Sequence, residues 1–168
     1  MIATMHELPA IRVAPVTSAL RPGLLQLRVT PPQRDFVSDI APSLIDAENC
    51  PGSTPMAILR NDAPVGYYRI EASAGSVVGR DFDRPALGLR SFFIDSQWQG
   101  QGLASQALAA VIADLATRHP DARLLVLLVN CRNLAALRVY LRAGFVDTGE
   151  LYHGGRSGAQ HLLWRALP

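Results

Sequence analysis

The nine residues Gln97-Trp98-Gln99-Gly100-Gln101-Gly102-Leu103-Ala104-Ser105 constrain this chain more than any other stretch. An apolar run, Leu87 to Ile94, leads into them, and an amphipathic helical pattern, Leu103 to Thr117, leads out. The pattern predicts strand, loop and helix, with small residues at positions 100, 102 and 104. Small residues let backbone approach a ligand closely. The first turn of a helix also leaves several N–H groups without intrahelical acceptors at its positive end. Such a loop favours an anion, most naturally phosphate or pyrophosphate.

Composition narrows the choice of anion. All 16 basic residues are arginine, so no Walker-type lysine, Schiff-base lysine or lysine base exists in the chain. A dinucleotide fingerprint would want a third glycine and an acidic residue closing the next strand. Ser105 and Asn130 stand at those places. The four histidines are scattered and the two cysteines, Cys50 and Cys131, lie far apart, so no metal-ligand spacing is present. The same two cysteines make no disulfide framework and fit a reducing compartment. A net charge of +2 gives no nucleic-acid or membrane signal, and the apolar run Leu124 to Val129 is far too short to span a bilayer. His6, Glu7 and Pro9 stand where a signal peptide needs an apolar core, so the expectation is a cytoplasmic protein.

The rest of the chain reads as a single α/β domain of about residues 23–168, preceded by a tail or edge segment over residues 1–22. Leu24 to Val29 reads as a first strand. A helix opening at Pro32 carries Phe36, Val37, Ile40, Leu44 and Ile45, with a kink or break expected at Pro42. Met56 to Arg60 and Val65 to Ile70 form a hairpin around a loop of four residues, Asn61 to Pro64. A polar connection, Ser73 to Pro85, leads to the strand before the glycine loop. Leu124 to Val129, apolar at every position, is a strand covered on both faces. Asn133 caps a further helix that stops at Gly144, and two closing strands come after it. Early hairpins and a later β-α-β unit predict a mixed central sheet of six to seven strands with helices on both faces.

Two motifs carry a family resemblance. Gln99-Gly100-Gln101-Gly102-Leu103-Ala104 resembles the pyrophosphate loop Q/R-x-x-G-x-G/A of the GNAT acetyltransferases. Asn133, Ala136, Tyr140, Gly144 and Phe145 resemble the superfamily's N-x-x-A-x-x-x-Y-x-x-x-G-F segment, with one helix and one strand between the two motifs. The resemblance implies a GNAT fold and acetyl-CoA as donor to an amine. Gln33 to Val37, Pro64 to Tyr67 and Phe92 to Asp95 are further similar to the diamine and spermine/spermidine acetyltransferases.

The resemblance also implies site residues. Gln99, Gly100, Gln101, Gly102, Ala104 and Ser105 would cradle the pyrophosphate. The backbone of Phe92, Phe93 and Ile94 would line the pantetheine and polarise the thioester, and Asn133 would complete the cofactor site. Tyr140 is the candidate general acid for the leaving thiolate, through position more than acidity. A glutamate that some relatives carry as base is replaced here by Arg90. Glu71 is therefore the candidate base, with Glu48, Asp95 and Glu150 behind it. Cys131 has no histidine near it in sequence and reads as an inert thiol.

Three functions stay open at this point: a small-molecule amine acetyltransferase, polyamine acceptors included; an acetyltransferase of peptide or protein amines, which needs an open groove; and a non-catalytic acyl-CoA-binding module. A polyamine pocket wants several carboxylates, which Asp46, Glu48, Glu71, Asp81, Asp83 and Glu150 would supply if they converged. Segments 31–55, 73–85 and 152–158 are expected to build the acceptor pocket. The resemblance also implies a homodimer.

Overall fold

The computed structural model describes residues 11–168. Seven strands form one mixed sheet in the order β1-β2-β3-β4-β5-β7-β6. They are β1 (Ile11–Pro15), β2 (Ser53–Arg60), β3 (Ala63–Glu71), β4 (Ala86–Ile94), β5 (Leu124–Asn130), β6 (Val146–Tyr152) and β7 (Gln160–Ala166). All neighbours are antiparallel except β4 and β5, which run parallel and are joined through the long helix after the glycine loop. The helices are α1 (Arg21–Leu24), α2 (Ile40–Asn49), α3 (Gly75–Val78), α4 (Leu103–Arg118) and α5 (Leu134–Arg142). None is long and apolar enough to cross a membrane among the described residues.

Strand alternation sorts the core into two layers. Met56, Ile58, Tyr68, Ile70, Leu125 and Leu127 point to the face covered by α4 and α5. There they meet Leu108, Val111, Leu115 and Tyr140. Ala57, Leu59, Tyr67 and Phe93 point the other way, against Leu24 of α1 and Ile40 and Leu44 of α2. Leu124, Val126 and Leu162 extend that second face under α3. The apolar stripe of α4 is therefore buried as its spacing predicts, and β5 is covered on both sides.

Three local expectations change. Leu24 to Val29 is not a strand. Pro22 sits at the opening of α1, and Leu24 and Leu27 are buried at turn spacing, three residues apart. The edge of the sheet is taken instead by Ile11–Pro15; residues 1–10 lie outside the described part. The helix expected from Pro32 divides before Pro42: a 3-10 turn covers Pro31–Asp35, and α2 starts anew at Ile40. Pro42 is the third residue of α2, where a missing N–H costs no helical bond. The hairpin loop has two residues. Arg60 pairs with Ala63, and Asn61 and Asp62 both take positive φ, 49° and 65°. That is the turn whose twist suits a tight hairpin, and it admits Pro64 into β3.

Two features of β4 open the sheet at one end. It is bulged: Tyr67 faces Phe93 but Arg69 faces Arg90, with Ser91 at φ 57° supplying the extra residue. It also leaves β5 early. The parallel pairing runs only from Ala86/Leu124 to Leu89/Leu127, although β4 continues to Ile94 and β5 to Asn130. Gly66 lies behind this end of β4, where a Cβ would stand 2.6 Å from the Phe93 carbonyl oxygen. Gly66→Ala is accordingly expected to lower stability by about 1–3 kcal/mol through overpacking, measured by urea unfolding.

Candidate active site

The gap between the diverging ends of β4 and β5 holds two cavities that share one wall. The first, about 330 Å3, runs from the glycine loop along Phe92, Phe93 and Ile94 to α5. The second, about 410 Å3, lies toward Arg90, Asn130 and the segment after β6. Phe36, Val37, Phe92, Asn133, Ala136 and Tyr140 line both. A larger space, about 520 Å3, lies between residues 72–75 and 118–122 and contains none of them.

The loop has the geometry its glycines predict. Gly100 and Gly102 take φ of 77° and 74°, a conformation that L side chains rarely adopt, and nothing stands within 4 Å of where a Cβ would project. Gly102 directly precedes α4, and the first N–H of the following turn with a backbone acceptor is that of Gln106, bonded to the Gly102 carbonyl at 3.4 Å. The N–H groups of Leu103, Ala104 and Ser105 precede it, at the positive end of a 16-residue helix. This cradle fits a pyrophosphate.

Of the residues implied for the cofactor, Phe92, Phe93, Ile94, Gln99, Gly100, Gly102, Ala104, Ser105 and Asn133 all line the first cavity. Gln101 does not. Its side chain is exposed and accepts a hydrogen bond from Arg60 at 3.4 Å, while the Arg60 guanidinium lies over the Trp98 ring. Gln99 lines the cavity but spends its amide internally. Its Nε2 donates to the Ile94 carbonyl at 2.8 Å and to Gln33 Oε1 at 2.9 Å, and Gln33 Nε2 donates back at 3.1 Å. That reciprocal pair fastens the 3-10 turn onto the glycine loop. Asn133 caps α5, its Oδ1 accepting from the Ala136 N–H at 3.3 Å. Sequence reading missed the Gln33 latch and the cavity residue Trp98, because neither has a spacing signal of its own.

Tyr140 stands where the cavities meet. It is 8% exposed, with its ring edge-on to Phe92 at 6.1 Å and to Phe145 at 5.6 Å. Burial among apolar rings pushes its phenol well above the ordinary tyrosine value. It therefore stays protonated throughout the working pH range and is available as a donor.

Glu71 is not brought to the cleft. Its carboxylate is buried and lines neither cavity. Oε1 accepts from Ser53 Oγ at 2.9 Å and faces Arg69 Nη2 at 3.3 Å and Arg90 Nη1 at 3.6 Å. Arg69 in turn reaches Asp46 at 2.9 Å, which holds the Asp46 carboxyl below its usual range. A carboxylate shared among these donors serves as their counter-ion, and Glu71 is not among the side chains brought together in the cleft. The runners-up are likewise occupied: Asp95 accepts from the Arg28 N–H at 2.7 Å, Glu48 pairs with Arg21, and Glu150 pairs with Arg80 at 2.9 Å. The six carboxylates suggested for a polyamine pocket do not converge on the second cavity. Cys131 is half-buried and lines neither cavity.

All three segments expected to build the acceptor side do contribute to the second cavity, through residues 35–38, Ser76 with Val77, and Tyr152 with residues 154–157. Two of them are bonded to each other. Arg156 Nη2 donates to the Arg34 carbonyl at 3.0 Å, and Ser157 Oγ donates to the Asp35 carbonyl at 2.6 Å. The Ser157 carbonyl accepts from Asn130 and Arg132, both at 2.9 Å, which anchors the bridge to the end of β5.

A diverging parallel strand pair, an anion loop opening a helix and a shared tyrosine wall define an acyl-transfer cleft. The acetyltransferase (GNAT) family model matches residues 23–145. The chain belongs to that family and is an N-acetyltransferase by class. It is 30% identical over 148 residues to a spermine/spermidine N(1)-acetyltransferase of Bacillus subtilis, covering 87% of this chain and 94% of that one. It is 29% identical over 145 residues to an aminoglycoside N(6′)-acetyltransferase of Stenotrophomonas maltophilia, covering 86% and 91%. The fold is shared with an AAC(6′)-Ib structure in complex with paromomycin and acetyl-CoA, at TM-score 0.69 and 17% identity over 94% and 93% of the chains.

The loop geometry generates a direct test. Gly102→Val forces a branched side chain into positive φ at the helix entrance. Calorimetry is expected to show acetyl-CoA affinity falling by at least about tenfold, on the order of 1.4 kcal/mol, whereas Gln101→Ala stays near wild type.

Proposed function

We propose that the protein transfers an acetyl group from acetyl-CoA directly to a primary amine of a small molecule. The observation that carries this reading is the bridge of Arg156 and Ser157 to the carbonyls of Arg34 and Asp35, which joins two walls of the second cavity. A peptide chain or protein loop needs an open groove there. With two of its walls joined in this way, a space of about 410 Å3 suits a compact acceptor. The names of the relatives make polyamines and aminoglycosides natural members of a first panel. A cytoplasmic location and a homodimer go with the same reading.

In this reading the first cavity takes the donor. The N–H groups of the glycine loop and the first turn of α4 hold the pyrophosphate. The bulged end of β4 presents backbone to the thioester, where an N–H positioned on the carbonyl oxygen stabilises developing negative charge. The acceptor nitrogen approaches from the second cavity, forms the new C–N bond and displaces the sulfur. Tyr140 donates its hydroxyl proton toward the departing thiolate and recovers one from the acylated nitrogen. Because burial raises the phenol, full proton transfer to a thiolate of ordinary pKa near 8.5 runs uphill. The role is therefore a hydrogen bond that strengthens as charge builds on sulfur, completed by the proton the nitrogen sheds.

With Glu71 engaged elsewhere, the acceptor loses its first proton to solvent. An amine near an ordinary pKa of about 10.4 is mostly protonated at neutral pH, and its reactive fraction grows about tenfold per pH unit. The log of kcat/KM is thus expected to rise with slope near one from neutral pH upward, levelling only near the amine's own pKa. Glu71→Gln should keep that profile while lowering stability by about 1–3 kcal/mol, because buried Arg69 loses one of its two carboxylate partners and keeps Asp46. A lost or displaced basic limb in that variant would return Glu71 to the reaction.

The functional assay is free-thiol release from acetyl-CoA across a panel of amines, with an N-terminal peptide as comparison. Turnover of compact amines and none of the peptide is expected. Tyr140→Phe is expected to lower kcat by about a hundredfold with little change in KM. A fall well under tenfold would remove Tyr140 from the chemistry.

A further inference from the structure

We infer that the acceptor amine carries an oxyanion, a carboxylate or phosphate, that the second cavity holds through Arg90 and Arg156. The inference rests on the acetyltransfer reading above and specifies its substrate. The charged side chains lining that cavity are Asp35, Arg90 and Arg156, two guanidinium groups against one exposed carboxylate. Arg90 belongs to a quartet with Arg69, Glu71 and Asp46 that is neutral as a whole, but it is the member that lines the cavity. It is also the loosest. Only its Nη1 faces Glu71, at 3.6 Å, and Oε1 of that carboxylate is already shared with Arg69 and Ser53. Its side chain is 41% exposed, so the rest of the guanidinium fork is free to meet a ligand. Arg156 gives Nη2 to the Arg34 carbonyl and lines the same cavity.

Guanidinium forks suit carboxylate and phosphate oxygens, and they repel a second ammonium group. The arginines also favour the chemistry. Nearby positive charge lowers the pKa of an ammonium group and so raises its reactive fraction. A substrate that is only cationic would lose in binding what it gained in reactivity, whereas an amine that brings its own anion keeps both. Spacing is set by the strand. Arg90 lies two residues along β4 from Phe92, which lines both cavities, so the backbone separation is about 7 Å or less.

The test compares kcat/KM with acetyl-CoA for linear ω-amino carboxylates, α,ω-diamines and simple alkylamines of matched chain length, together with 2-aminoethyl phosphate and spermidine. An oxyanion-bearing amine is expected to exceed its matched diamine by about tenfold or more. The best compound shows whether carboxylate or phosphate is preferred. In Arg90→Gln the KM for that compound should rise about tenfold while the alkylamine changes much less. Arg156→Gln, at an exposed position outside the buried quartet, should move the same preference in the same direction and tests the inference even where Arg90→Gln folds poorly. Preference for diamines or spermidine in the unaltered protein, or an unchanged preference in both variants, overturns the oxyanion while leaving the acetyltransfer reading intact. Acetyl-CoA binding with no turnover of any amine overturns both.

Discussion

The site depends on β4 and β5 parting company after Leu89 and Leu127. Parallel strands ordinarily keep their ladder, because unpaired backbone groups away from water are costly. Here β4 remains paired with β3 through its bulge at Ser91, and β5 remains paired with β7 through Asn130. Each strand is therefore held on its outer side while its inner edge opens. The opening is a backbone edge without strand pairing, flanked by the N-termini of α4 and α5. Tyr140 from α5 stands in the wall the two cavities share, with Phe36, Val37, Phe92, Asn133 and Ala136. Donor and acceptor in the proposed reaction would thus meet at a position defined by main chain and a single buried ring.

That arrangement explains which parts of the molecule were legible in the sequence. The glycine loop, the stripe of α4, the continuous apolar run of β5 and the cap of α5 are local signals, each written in adjacent residues. They place nine of the ten implied cofactor residues on one cavity, with Gln101 turned outward. Positions whose fate is decided by distant partners were not readable. Leu24 to Val29 has the composition of a strand, but Pro22 and the turn spacing of Leu24 and Leu27 direct it over the end of β4. There Asp95 receives the Arg28 N–H, and the Arg28 carbonyl receives the Ser96 N–H. Glu71 ends a strand beside the site in sequence terms, yet Ser53, Arg69 and Arg90 claim its carboxylate from three other positions. The Gln33 and Gln99 amide pair joins residues 66 apart and carries no periodicity.

The two halves of the cleft also respond differently to sequence change. Recognition along the glycine loop and the end of β4 is mostly main chain, so side chains there are free to vary provided the positive φ at residues 100 and 102 survives. The charged side chains of the second cavity stand at positions 35, 90 and 156, and two of its segments are joined by bonds across 122 residues. In the inference drawn above, the charge of the second cavity guides the choice of acceptor. It is set by which of the chain's 16 arginines and 14 acidic residues reach the wall. The carboxylates at positions 46, 48, 71, 83 and 150 are each paired with an arginine and line no part of the second cavity, where Arg90, itself 3.6 Å from Glu71, and Arg156 face Asp35 as the lining carboxylate. Under that inference, a wall of that sign favours an amine that carries its own negative charge.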